Sequence, residues 1–252
     1  MMRHQRWVVA MLVALLAALP ARVRVPAAQA TDVETMLADA AAMIGRGDVG
    51  GALATAMRAC DLAPERPRVH ATLGMIYQRQ GDQARAMTSL TRFQLAGLLA
   101  HGAPDESLTH EMADAEATLV YLVNHERISR GLPALWPDLT LAEMARDHSE
   151  EMRDLGYFSH GSPLRRNGTL ESRFRNAFTA EPRAVAENVS RMSGTLWSFT
   201  PENVRASHQR LMASPGHCEN ILWDRPDHIG VGIAVSHCGD YWITENFALL
   251  GE

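Results

Sequence analysis

Scarcity is what first narrows this sequence. It has only three cysteines, which make at most one pair and a leftover. No basic run follows the N-terminus, and the formal net charge is −5, so nucleic acid is not the expected partner. Residues 32–96 carry few strand signals, which makes that region helical. No serine or cysteine stands beside an obvious base, so no covalent nucleophile announces itself. No apolar run is long enough for a comfortable transmembrane helix. The longest, Trp7 to Leu19, follows Arg3 and Arg6 and precedes Ala28-Gln29-Ala30, the layout of a secretory signal. Residues 1–30 are therefore expected to be a signal peptide, and the mature chain secreted or periplasmic. No cysteine near Thr31 offers a lipid anchor.

What is present is enough for one good core and a smaller second one, with 252 residues of which 46% are hydrophobic. Gly47-Asp48-Val49-Gly50-Gly51-Ala52-Leu53 recurs as Gly81-Asp82-Gln83-Ala84-Arg85-Ala86-Met87, an offset of 34 residues. Small residues, Ala40 and Gly74, fall at matching places. The pattern resembles the tetratricopeptide repeat, two helices per unit. Residues 31–100 are expected to form such a helical region, which serves as a partner-binding groove or as a spacer. Only about two units fit, so they should lean on a following helix or domain.

His101-Gly102-Ala103-Pro104-Asp105 marks a break, with a linker expected over residues 101–114 and a second domain over residues 115–252. A helix is expected from Ala115 to Arg130. Thr140-Leu141-Ala142-Glu143 reads as a capping box that starts the next one. Leu141, Ala145, His148, Met152 and Leu155 recur at helical spacing, which makes His148 a packed core histidine. Tyr157 to Pro163 reads as a loop with His160 at its apex. Ser214-Pro215-Gly216-His217 reads as a break that pins His217 in a loop between two ordered elements. Residues 229–235 and 241–247 read as strands of an antiparallel hairpin joined through Gly239-Asp240. Helices thus outnumber strands and should sandwich them, an α/β layered domain. Cys218 and Cys238 are expected to form a disulfide after export, with Cys60 left as a small hydrophobe in helical sequence.

Residues 115–252 resemble the CAP superfamily (cysteine-rich secretory proteins, antigen 5 and pathogenesis-related proteins) in its bacterial secreted form. The resemblance rests on Leu122-Val123-Asn124-His125-Glu126-Arg127, His148-Ser149-Glu150-Glu151-Met152, Phe158-Ser159-His160, Ala186-Glu187-Asn188-Val189 and Ser214-Pro215-Gly216-His217. Ile229-Gly230-Val231-Gly232 and Tyr241-Trp242 complete it. It implies an α-β-α sandwich with a cleft holding His160, His217 and Glu187. Two acids are further candidates for the cleft. Glu202 is also explained by its place at a helix N-terminus, and Glu245, where relatives often carry glutamine, also by a strand surface. Two imidazoles and a carboxylate make a ligand set for zinc or another divalent metal; the same residues could instead be a hydrogen-bonded network. The resemblance implies an exported binding protein, with the cleft for an ion or a small, lipid-like ligand and the repeats for a protein partner. The alternative is a metal-dependent hydrolase of a peptide or cell-envelope substrate, with Glu187 as base.

Overall fold

A computed structural model describes residues 27–102, 106–180 and 182–250. Residues 1–26 of the expected signal peptide, and residues 103–105 of the expected break, lie outside the described residues. The chain opens with four helices: α1 (Ala27–Gly45), α2 (Val49–Leu62), α3 (Pro67–Arg79) and α4 (Gln83–His101). They form two helical hairpins, and the repeat seen in the sequence persists to single atoms. Gly47 and Gly81 both take positive φ, 81° and 73°. Asp48 N donates to Met43 O, and Asp82 N donates to Tyr77 O, each at 2.9 Å. The two aspartates then cap the next helix alike, accepting from Gly51 N and Arg85 N. Gly74 is small because Leu90 of the paired helix presses on it; an added Cβ would stand 2.8 Å from that side chain.

The next helix, α5 (Glu106–Ser129), begins nine residues before the expected Ala115. It packs on α4 on one side and on the rest of the chain on the other. Then come β1 (Trp136–Pro137), α6 (Leu139–Leu155), α7 (Leu170–Ala177), β2 (Val185–Met192), α8 (Pro201–Ala213), α9 (Pro215–Leu222), β3 (His228–Val235) and β4 (Tyr241–Ala248). The sheet order is β1-β3-β4-β2, with β1 parallel to β3 and the other pairs antiparallel. The architecture is an α-β-α sandwich preceded by a helical region. Helices α6 and α7 cover one face of the sheet, and α5, α8 and α9 cover the other.

Two glycines decide how closely the layers approach. A Cβ on Gly230 would lie 2.1 Å from the Leu141 carbonyl carbon, and one on Gly232 would lie 2.1 Å from Arg146 N. Backbone of α6 therefore rests directly on backbone of β3. The core of the opposite face runs through Val123, Val204, Leu211, Ile221, Val231, Ile233 and Tyr241, and it also takes in Leu90 from α4. The helical region thus shares a core with the sandwich. At the same junction Arg146 pairs with Glu116 at 2.6 Å and donates to Gln94 of α4 at 2.8 Å, all three buried. Glu116 also accepts from Ile233 N at 3.1 Å, capping a donor of β3 beyond its short pairing with β1.

Four further expectations change on this backbone. Helix α6 is capped by Asp138, whose side chain accepts from Leu141 N, and so starts before Thr140. Asp138 is held extended there because its own N–H donates to Ile229 O. Leu155 is exposed, whereas Leu141, Ala145, His148 and Met152 are buried. Ser214 ends α8 and immediately begins α9, so His217 stands in the first turn of a helix. Pro215 at the first helical position favours that start, since its fixed φ is already helical and its missing N–H would have had no partner there.

The fourth change concerns the disulfide: Cys60, Cys218 and Cys238 are all unbonded thiols. His217 O lies beside Asn188, which faces Glu245, whereas Cys238 sits in the turn beyond Tyr241, four residues further along the strand. At ~3.4 Å per residue that separation is about 14 Å, and a bridge needs Cα atoms within about 7 Å. Cys60 is half-buried against the helical core, and burial raises its thiol pKa.

Candidate functional site

The site assembles around β2, an edge strand. Its sequence is half polar, and alternation sends Glu187 to the α6–α7 face and Asn188 to the face of α8 and α9. Glu187 is 5% exposed, so its carboxylate needs partners. Arg173 of α7 donates to Oε2 at 2.5 Å, and His160 donates from Nδ1 to Oε1 at 3.0 Å. Arg173 also donates to His160 O at 3.0 Å, which holds the loop that carries the imidazole. The His160 side chain remains 58% exposed. With Nδ1 spent on Glu187, its Nε2 is the nitrogen left for a ligand.

His148 lies behind this group, buried, with Nε2 4.0 Å from Glu187 Oε1. Its Nε2 donates to Ser159 O at 3.1 Å, and Nδ1 lies 3.4 Å from the Tyr157 hydroxyl. Burial lowers its pKa. It is the hydrogen-bonded core histidine that its place on the apolar stripe implied, and it steadies the His160 loop.

His217 approaches from the other layer. Asn188 donates to His217 O at 3.2 Å, and Asn220, one turn further along α9, donates to Asn188 Oδ1 at 2.9 Å and to Glu187 O at 3.2 Å. Arg127 of α5 donates to Ile221 O and Trp223 O, fixing the far end of α9. The His217 imidazole is half-buried; burial lowers its pKa, and the nearby charge of His160 lowers it further. His160 and Glu187 are therefore in direct contact, and His217 is tied to the same strand through its backbone carbonyl. Among the described residues, the three ligand atoms do not all lie within 4.8 Å of one another.

The two further acids are placed apart from this pair of imidazoles. Glu202 is exposed in the first turn of α8, where Thr200 caps the helix. Glu245 is fully buried beneath Asn188, which donates to its Oε2 at 3.0 Å. Burial pushes its carboxyl up to about 7. Arg173, Asn188 and Asn220 were not anticipated from the sequence. One signal for Arg173 was available: it adjoins Phe174 on the buried side of a short amphipathic helix, a phase where a lone charge needs a partner. A cavity of about 670 Å³ opens beside Arg173 and His148, lined also by Met144, Asp147, Glu151 and Asn176; it includes neither His160 nor His217.

A four-stranded mixed sheet between helical layers, with His160 bonded to an edge-strand glutamate, is the arrangement of a sandwich domain of the CAP class. The chain belongs to the cysteine-rich secretory protein (CAP) family, whose description matches residues 120–247. Among curated proteins it is similar to the uncharacterized protein YkwD of Bacillus subtilis (strain 168), 37% identical over 134 residues, 52% of this chain and 46% of that one. It is also similar to the uncharacterized membrane protein YlbC of the same organism, 29% identical over 129 residues, 51% of this chain and 34% of that one. The chain thus spans less than half the length of either relative. Among solved structures it is similar to an extracellular protein containing an SCP domain from Bacillus anthracis str. Ames, with 26% identity and a TM-score of 0.46 over 61% of this chain and 49% of that one. It is similar as well to an outer surface protein from Borrelia burgdorferi, with 14% identity and a TM-score of 0.47 over 55% and 94% of the two chains.

Proposed function

We propose that this is an exported binding protein whose His160–His217 cleft holds a divalent ion or a small polar ligand. The observation that carries the reading is the Arg173–Glu187–His160 chain, which fixes an exposed imidazole from a buried anchor. A carboxylate that accepts from Nδ1 sets the tautomer and aims Nε2 outward, the usual outer support of a metal-bound histidine. For zinc, His160 and His217 would be the protein ligands, and Glu187, with both oxygens engaged, would orient rather than ligate. A bound zinc ion would supply Lewis acidity at that point. Glu187 is also poorly placed to be the base of a hydrolase, because it is 5% exposed and lies behind His160 with Arg173 bonded to it.

Export is part of the proposal; no helix among the described residues is long and apolar enough to cross a membrane. We assign a protein partner to the helical repeats, where Met57 and Leu62 of α2 are exposed apolar side chains. The cleft is tested by calorimetric titration of the purified protein with zinc, beside His160→Ala and His217→Ala. Each variant is expected to weaken binding at the cleft by about tenfold or more. Unchanged titrations in both variants would remove the cleft as a site.

A further inference from the structure

The structure carries a second cluster of metal-ligand type, away from the cleft. His101 is the last residue of α4, where Gly102, at φ 90°, turns the chain out of the helix. Its Nε2 lies 3.3 Å from Glu150 Oε2 and 3.8 Å from Asp147 Oδ1. Asp147 and Glu150 are one helical turn apart on α6 and so share a face. The three ligand atoms lie within 4.8 Å of one another, and among the described residues this is the set of His, Cys, Asp and Glu side chains that converges so. We propose that His101, Asp147 and Glu150 bind one divalent ion of the zinc class, and that the ion fastens the helical repeats to the sandwich.

Spacing supports an ion at the centre. Donors about 2.05 Å from a tetrahedral ion stand about 3.3 Å apart, close to the two separations from His101. Small side-chain rotations would then admit the ion without moving either helix. Acids outnumber arginines five to two around the cavity that Asp147 and Glu150 line, the arginines being Arg166 and Arg173. Glu143, Asp147, Glu150, Glu151 and Asp154 all project from α6 beside the cavity of about 670 Å³. Arg146 is committed to Glu116, Arg173 to Glu187 and Arg153 to Asp154, whereas the ion-pair contacts of Asp147 and Glu150 are with His101. The cavity is lined by Asp147 and Glu150 themselves, which gives an ion a route from solvent. One imidazole among two carboxylates suits zinc or manganese, whereas calcium prefers oxygen throughout. Since His101 belongs to α4 and the acids to α6, occupancy would link the two parts of the chain.

The test uses the full chain carrying His160→Ala and His217→Ala, so that the cleft does not contribute. Equilibrium dialysis against zinc is expected to give one tightly held ion per chain, with no comparable uptake of calcium. Adding His101→Ala, or the isosteric pair Asp147→Asn and Glu150→Gln, is expected to weaken that uptake by about tenfold or more. Zinc is also expected to raise the melting temperature only where the three ligands are intact. Circular dichroism identifies any variant that fails to fold, and the isosteric pair then decides. Equal zinc uptake with and without the added substitutions overturns the site, as does uptake by none of these proteins. Either result leaves the cleft reading to its own titration.

Discussion

Replacing Glu245 by glutamine should change the pH dependence of stability more than stability itself. The carboxyl is fully buried, and its Oε1 has no hydrogen-bond partner among the described residues. Burial raises its pKa from 4.5 to about 7. The folded state therefore keeps a proton that the unfolded chain releases above pH 4.5. Stability from this group is fully present below pH 4.5 and is lost as pH rises to about 7. At about 1.36 kcal/mol per unit, the loss approaches about 3 kcal/mol. In Glu245→Gln the amide oxygen can still accept from Asn188, but the amide N–H groups face the same unpartnered space, a cost that does not vary with pH. Urea unfolding of both proteins from pH 4 to pH 8 should show the difference in stability moving by about 3 kcal/mol in favour of glutamine as pH rises. A difference that stays constant across that range would refute the burial argument. Wild-type behaviour alone would hide the effect, because an opposite shift operates at His208.

His208 is buried, neither nitrogen has a hydrogen-bond partner among the described residues, and burial lowers its pKa to about 4 against the opposing pull of Glu126, whose Oε1 lies 4.0 Å from Nε2. Stability from the neutral ring is present above pH 6.5 and lost toward pH 4, so His208→Leu should abolish an acid-side loss of about 3 kcal/mol in the same unfolding series. Gly232→Ala places a methyl group 2.1 Å from Arg146 N. It should cost about 3 kcal/mol and lower the melting temperature by about 6–12 °C in a calorimetric scan.

Periodicity and punctuation carried most of the fold. The Gly-Asp repeat reads directly because positive φ and an aspartate cap are local demands, and the β3–β4 hairpin reads because β3 is an apolar run and Gly239-Asp240 punctuates the turn into β4. Strand β2 did not read as a strand. Glu187, Asn188, Ser190 and Arg191 break its alternation, since their side chains serve tertiary partners rather than a simple apolar face. His160 and Glu187 were legible as a pair through resemblance, and their contact is direct. Arg173 was not, because the need for a counter-charge arises only once Glu187 is buried. The Cys218–Cys238 pairing failed for the same kind of reason: closeness in sequence says nothing of position along a strand. His101 stands 49 residues from Glu150, across two regions that read as separate domains.

Helix α5 has a consequence for how such a chain can be divided. Its first half stands beside α4, with Thr91 bonded to Asp114 at 2.8 Å. Its second half supplies Asn124, which brackets Leu135, and Arg127, which holds the end of α9. Gln78 of α3 also donates to Tyr121 O at 2.7 Å, so repeats and sandwich grip the same rod from two sides. A cut at Ala115 would leave neither fragment with a whole helix, and would strip Leu90 from the core it helps to fill. The joint is a shared beam rather than a hinge, and through Glu116 the same helix also bonds to the sheet at Ile233.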